Sequence, residues 1–458
     1  MALEHSGVKA HLGDDLVELR RSLAGTVVER TDPEYDAARR CFNALVDRRP
    51  AVIARCVGAA DIAVALDFAR IHALEVAVRG GGHNPAGHCV CDDGLVIDLS
   101  GMRGVAVDPE ARIARAQGGA TWLDFDTATQ EFGLVTPGGI VGSTGVTGLA
   151  LGGGIGHMTA QLGLTCDNIA GAELVIPDGA VVQARPDENA ELLWGLHGGG
   201  GNFGVVTSLQ LHLHPLERVV GGRFEYRGGA VGDVLRTFRD VVARSPRDLS
   251  IQAVLGVDET SNAALLIAPC YTGSESEPEP LRILRAAPGL VRDTVGARPF
   301  LEQQLEFDSP YGENRHYWKG HFVNELTDEL IDELLDRILA FGKPPSSVLF
   351  ESLHGAPKDV DPTVGGIRYR NAGFNVSVMG TWHDAADDES HIAWVRETAT
   401  AIEPWSFGGG YVNYMQADEP IERVRAAFGE VSFERLQALK RQYDPTNVLR
   451  RNQNIPPA

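Results

Sequence analysis

Between about residues 50 and 215 the chain alternates short apolar runs with helical patterns. "AVIARC" (51–56), "EVAVRG" (75–80) and "GLVIDLS" (94–100) are rich in β-branched residues and predict strands. "DIAVALDFARIHA" (61–73) puts Ile62, Leu66 and Ala69 on one face, with Asp61 as the expected helix cap, so this region opens as a βαβ unit. Hairpins are expected over 104–119, turning at Asp108-Pro109, and over 172–184, turning at Pro177-Asp178-Gly179. Helices are expected over 122–133 and 189–198, and "GVVTSLQLHLHP" (204–215) alternates with the period of a strand.

From 216 to 405 the texture changes. Strand-like runs such as "AALLIAPCY" (263–271) and "FNVSVMGTWH" (374–383) are separated by long helices. One helix, 327–342, is framed by Thr327 as cap and Gly342 as stop, with Ile331, Leu334, Leu335 and Ile338 as its stripe. The pattern predicts an antiparallel sheet covered by helices, and an α+β class overall. Residues 431–455 read as a helix followed by an extended tail, and 1–25 as an amphipathic helix.

A length of 458 residues implies two or three domains. The formal net charge of −21 opposes binding to nucleic acid or anionic lipid. No apolar run has the length of a membrane span and the N-terminus has no secretory pattern, so a cytoplasmic protein is expected. Six scattered cysteines fit reduced thiols. Cys89 and Cys91 flank His88 without a second ligand pair at zinc spacing, so no metal site is expected.

Glycine, at 53 copies, concentrates in three clusters: "RGGGHNPAG" (79–87), "PGGIVGSTGVTGLALGGGIG" (137–156) and "GGGGNFG" (198–204). Three side-chain-poor loops point to a large, phosphate-bearing ligand held by main-chain N–H groups. Gly199, Gly201 and Gly204 match a dinucleotide fingerprint, but a helix precedes them and a strand follows, the reverse of what that motif needs. Hydrolase and P-loop signatures are absent.

These clusters, with "VIDLS", "LWGLHGGGGNFGVVT", "YVNY" (411–414), "YDPTNVL" and "NQNI" (452–455) in order, resemble the berberine-bridge-enzyme-like oxidases. That family sits within the vanillyl-alcohol-oxidase group, whose FAD domain is of the PCMH type. The resemblance spans about residues 30–458. It implies an FAD domain over 1–215, a substrate domain over 216–405 and a C-terminal segment, 406–458, returning to the first. It also implies a flavin bonded through His83. The cysteine that carries a second bond in many relatives falls at Val141, so a single link is expected. His197 replaces a common arginine. The cofactor contacts implied are Arg79, Gly80, Gly81, Gly82, His83, Asn84 and Gly87; Gly142, Ser143, Thr144, Gly145, Gly148, Gly153 and Gly154; and Asn168, Gly204, Val206, Asn413 and Asn452.

By the same resemblance Tyr414 is the expected catalytic base, with Tyr411 as second choice. Glu351, a carboxylate in an apolar run, is expected to partner Tyr414 or replace it, with His354 close by. Tyr317, Trp318 and Lys319 are candidate pocket lining. The expected activity is oxidation of an alcohol, sugar or secondary metabolite, with dioxygen as acceptor. A flavin oxygenase and a non-catalytic flavin-binding protein are the alternatives. Substrate identity and oligomeric state are not legible in these residues.

Overall fold

The computed structural model describes residues 13–308, 311–361 and 363–458. Half of the expected N-terminal helix lies outside them; the described part is Gly13–Ser22.

The first four strands form one sheet in the order Thr26–Glu29, Val52–Arg55, Leu95–Asp98, Val76–Arg79. The last three run parallel, and the helix Ala59–Ile71 makes the crossover. Asp61 does not cap that helix; Gly58 does. Its buried carboxylate instead accepts the N–H groups of Ala24 (2.8 Å), Gly25 (3.1 Å) and Val57 (2.9 Å), fixing the turn that feeds the sheet. A second, antiparallel sheet follows in the order Val105–Asp108, Ile113–Gln117, Val205–His212, Ile169–Val175, Val181–Ala184. Both expected hairpins are in it. The helix Trp122–Gln130 packs beside it, held by a capping box in which Thr121 and Asp124 bond each other's backbone.

The next sheet has nine antiparallel strands between Arg218 and Trp382. Its amphipathic helices Val231–Val242, Asp328–Phe341 and Asp388–Ile402 bury their apolar stripes in one core. Thr327 and Gly342 frame the second of these as their chemistry dictates, the threonine hydroxyl accepting from Leu330 N–H and the glycine at φ +61°.

The chain then returns. Helix Glu430–Tyr443 packs on helix Ala190–Leu196. Its Lys440 is buried, and donates to Asp444 Oδ2 (2.7 Å), Leu449 O (2.9 Å) and Asn202 O (2.8 Å). Asp444 accepts in turn from Val448 and Leu449 N–H. One ammonium therefore locks the C-terminal tail to the third glycine cluster. Removing one member of a fully buried pair strands the other, at a cost of about 3–5 kcal/mol. Lys440→Ala should lower stability by that amount in denaturant unfolding, and a loss under about 1 kcal/mol would show that the pair is not what holds the tail.

Candidate active site

The three glycine clusters converge on one cavity of about 360 Å³ between the first two sheets, the nine-stranded sheet and the C-terminal tail. The first two clusters meet backbone to backbone. A Cβ on Gly81 would collide with Gly145 N, and one on Gly145 with Gly81 N, so neither position admits a side chain. A Cβ on Gly201 would meet nothing within 4 Å, because that glycine faces the cavity.

Of the cofactor contacts implied by sequence, Gly80, Gly81, Gly82, His83, Asn84, Thr144, Gly145, Gly148, Gly204, Val206, Asn413 and Asn452 line this cavity. The others stand behind it. Arg79 pairs with Asp98 across the parallel strands (2.6 Å), and Gly142 N–H donates to Asp308 (2.6 Å). Gly87 packs on Val46. Asn168 bonds Leu162 O, Leu164 O and His214, well inside the domain. Gly153 and Gly154 contact Tyr369 and Thr165. Ser143 meets the site through His83, whose Nε2 lies 2.8 Å from its hydroxyl.

Sequence reasoning gave no sign of Phe42. Its ring is stacked between His83 and His316, both at 4.4 Å between centroids, with Trp318 edge-on at 5.9 Å. Next to it Asn43 ties the two halves of the cavity together: its Nδ2 donates to Pro85 O (2.6 Å) and His316 O (2.8 Å), and its Oδ1 accepts from His316 N–H (2.8 Å). Strand pairing sets the wall of the cavity formed by the nine-stranded sheet. Trp318 stands opposite Met379, and Leu349 lies on the adjoining strand; all three line the cavity. Tyr317 and Lys319, on alternate positions of that strand, turn away to bond Asp418 and Glu419.

The two tyrosines of "YVNY" part company in a short 3₁₀ turn, Val412–Tyr414. Tyr411 points inward, and its oxygen accepts from Gly154 N–H (3.0 Å), Ile155 N–H (3.2 Å) and Asn413 Nδ2 (2.9 Å). Tyr414 lines the cavity beside Trp318 and donates to Glu351 Oε1 at 3.1 Å. Glu351 is 1% exposed, and its other oxygen accepts from Asn375 Nδ2 at 2.6 Å. Burial pushes its carboxyl up to about 7, against the pull of the Asn375 and Tyr414 hydrogen bonds. Burial and then the Glu351 charge push Tyr414 well above the usual phenol range, so the tyrosine holds its proton. His354 is separately engaged with Leu249 O.

The cavity fits a flavin dinucleotide on its own chemistry. Its wall is largely main chain and apolar carbon. His88 Nδ1, Thr147 Oγ1, Trp318 Nε1, Arg451 Nε and Asn452 Oδ1 are buried on it without a partner among the described residues. Buried polar atoms in such numbers call for a ligand that supplies donors and acceptors. Fold and site together define an FAD-dependent oxidoreductase.

Comparison with known proteins agrees. Residues 50–185 match the model for an FAD binding domain, and 410–456 the model described as berberine and berberine like. The chain is 31% identical to (R)-6-hydroxynicotine oxidase of Paenarthrobacter nicotinovorans, over 95% of this chain and 97% of that one. It is 30% identical to an FAD-linked oxidoreductase of Dictyostelium discoideum, over 96% of each. Among solved structures, 6-hydroxy-D-nicotine oxidase from Arthrobacter nicotinovorans superposes with a TM-score of 0.87 at 29% identity, covering 95% of this chain and 99% of that one. Berberine bridge enzyme from Eschscholzia californica shares the fold, with a TM-score of 0.86 at 20% identity, covering 97% and 99%. The chain belongs to the berberine-bridge-like FAD-linked oxidoreductases.

Because a Cβ on Gly201 would meet no protein atom within 4 Å and the residue lines the cavity, Gly201→Ala should leave the thermal unfolding of flavin-free protein unchanged. In a His83→Ala background, where no tether can form, it should weaken FAD binding by about tenfold, some 1.4 kcal/mol, as measured by flavin-to-protein absorbance after dialysis. Full retention of flavin by the variant would mean that the third cluster does not contact it.

Proposed function

We propose that this protein is an oxidase of a compact, largely apolar aromatic substrate carrying a hydroxyl or amine, with FAD tethered once, through His83, and dioxygen as the electron acceptor. The observation that carries this reading is the Tyr414–Glu351 pair at the end of an aromatic-walled cavity. Bound flavin supplies the acceptor for a hydride from the substrate carbon. The chain's own task is the proton. A substrate O–H or N–H placed at Tyr414 gives its proton to the phenol oxygen as the phenol proton passes to Glu351 Oε1, so the tyrosine never carries full charge. Phe42, Trp318, Leu349 and Met379 supply apolar surface, and among the described residues Arg451 is the sole lysine, arginine or carboxylate side chain lining the cavity. A sugar would demand more polar partners than this wall presents. The relative named as a hydroxynicotine oxidase supports an aromatic substrate.

Three features support a single tether. His83 faces the cavity with Nε2 engaged by Ser143, while Nδ1 has no partner among the described residues. Burial, then the nearby His316, lowers the His83 pKa to about 3, so the ring is a neutral nucleophile at physiological pH. Val141 offers no second nucleophile, and Cys166 is buried elsewhere, with its thiol pushed up by burial.

Acid-precipitated protein should stay yellow, with flavin mass on the His83 peptide, and His83→Ala should release the colour. Ser143→Ala should lower the tethered fraction; colourless wild-type pellets would sink the covalent claim. Turnover should rise as pH passes through about 7, where Glu351 loses its proton. Glu351→Gln should remove that limb and lower kcat on the order of a hundredfold or more. The raised carboxyl also stabilises the fold at low pH and loses that contribution as pH climbs through about 7, so Glu351→Gln should melt above wild type only on the alkaline side. Stoichiometric hydrogen peroxide, without label from labelled dioxygen in the product, is the outcome expected of an oxidase. Incorporated label would make the protein an oxygenase.

A further inference from the structure

We propose that Asn375 makes Glu351 a one-sided proton acceptor: by holding carboxylate oxygen Oε2 it leaves Oε1, the oxygen facing Tyr414, as the only place where a proton enters and leaves. The inference rests on the proposed role of Glu351 and adds a positioning residue to it. Glu351 and Asn375 stand directly opposite each other on the paired strands Ser347–Ser352 and Phe374–Trp382. Leu349 and Met379, at alternate positions of these strands, line the cavity, so the pair sits on the cavity face of the sheet. The amide nitrogen of Asn375 has two hydrogens. One meets Glu351 Oε2 at 2.6 Å and the other Ser377 Oγ at 3.1 Å. Turned over, the amide would set its carbonyl oxygen against the carboxylate, so these two bonds fix which end faces Glu351.

The surroundings are built for that amide. Gly320 pairs with Ser377 from the neighbouring strand, and a Cβ there would lie 2.8 Å from Ser377 Oγ and 3.2 Å from Asn375 Oδ1. Asn375 is 0% exposed, and its Oδ1 has no partner among the described residues. A bare, buried amide carbonyl is a cost that a leucine of similar shape would not carry, so what the residue contributes is the donor on its other side. The phenol of Tyr414 donates to Oε1 at 3.1 Å. When that proton crosses, the phenol O–H bond breaks and a new O–H bond forms at Oε1. Oε2 becomes the carbonyl oxygen of the acid and still accepts from Asn375. A proton on Oε2 would instead set O–H against N–H. Tyr414 and Tyr411 are the titratable groups facing this carboxyl, and burial, then the Glu351 charge, raises both phenols. Gln252, opposite on the third strand, is neutral. The proton on Oε1 therefore has one way out, back through Tyr414.

The test is an infrared pH titration of the FAD-loaded protein, which needs no substrate. The carboxyl C=O band that disappears as pH rises, and is missing in Glu351→Gln, belongs to Glu351. In the wild type its carbonyl is Oε2, hydrogen-bonded to Asn375. Asn375→Leu should shift that band to higher frequency, because the carbonyl has lost its donor. It should also raise the midpoint by about one unit, because the lost donor favoured the charged form. Ser377→Ala spares the pair but frees the amide, and should move both in the same direction by less; it carries the test if Asn375→Leu fails to fold. A band that keeps its frequency and midpoint in the variants would overturn the proposal, as would a wild type with no band that Glu351→Gln removes. A band that responds to Asn375→Leu, with turnover indifferent to Glu351→Gln, would uphold the one-sided carboxyl and overturn only its part in the reaction.

Discussion

The site depends on two loops touching through bare backbone. Where Gly81 meets Gly145 there is room for main chain and nothing else, and that contact sets how far apart His83 and Ser143 stand. The strand pairs beneath, Arg79 with Asp98 and Gly118 packed against Val206 O, hold the two loops at that separation. Only then can the third loop, carried by the Lys440 lock, complete a cradle lined on that side largely by glycine backbone. A cradle of this kind costs conformational entropy at every glycine. The surrounding sheets and the buried ammonium offset that cost.

Buried charge separates structure from chemistry in this molecule. Arg79–Asp98, Arg370–Asp167 and Lys440–Asp444 are close ion pairs with hydrogen bonds at 2.6, 2.9 and 2.7 Å, and each ties segments distant in sequence or fixes a chain end. Glu351 has no cation beside it among the described residues. It has an amide and a phenol, enough to keep the carboxylate from being prohibitive and too little to keep it ionised at every pH. That under-compensation places it near 7, where a proton acceptor is of use, and the tyrosine in front of it connects it to the cavity.

Much of this architecture was legible in local sequence. Thr327 and Gly342 frame their helix because capping is a local property, and the period-two runs became strands for the same reason. Asp61 shows the limit. Its position invites a helix cap, yet the carboxylate closes a turn with residues 24, 25 and 57. Nothing in the sequence around Phe42 announces a partner 274 residues away, and nothing in "YVNY" says that a 3₁₀ turn will send Tyr411 inward and Tyr414 outward. Those outcomes are set by tertiary register: Trp318 opposite Met379, and Asn43 stitched to both His316 and Pro85. The clusters located the glycine-lined side of the cavity, whereas its opposite wall, built from three paired strands, had no contiguous signature.

The proposed single tether would also change what the rest of the wall must do. Rotation about one bond at His83 would leave a bound ring free to swing, and Val141 cannot stop it by chemistry. Packing is what remains. The stacked row His83, Phe42 and His316, with Trp318 set edge-on to Phe42 and Tyr414 edge-on to Trp318, forms a continuous aromatic frame from His83 to Tyr414. Each such contact contributes only about 0.5–1.5 kcal/mol beyond burial. In series they tie the position of His83 to that of Tyr414, which in the proposed mechanism is the distance on which hydride and proton removal from one substrate both depend.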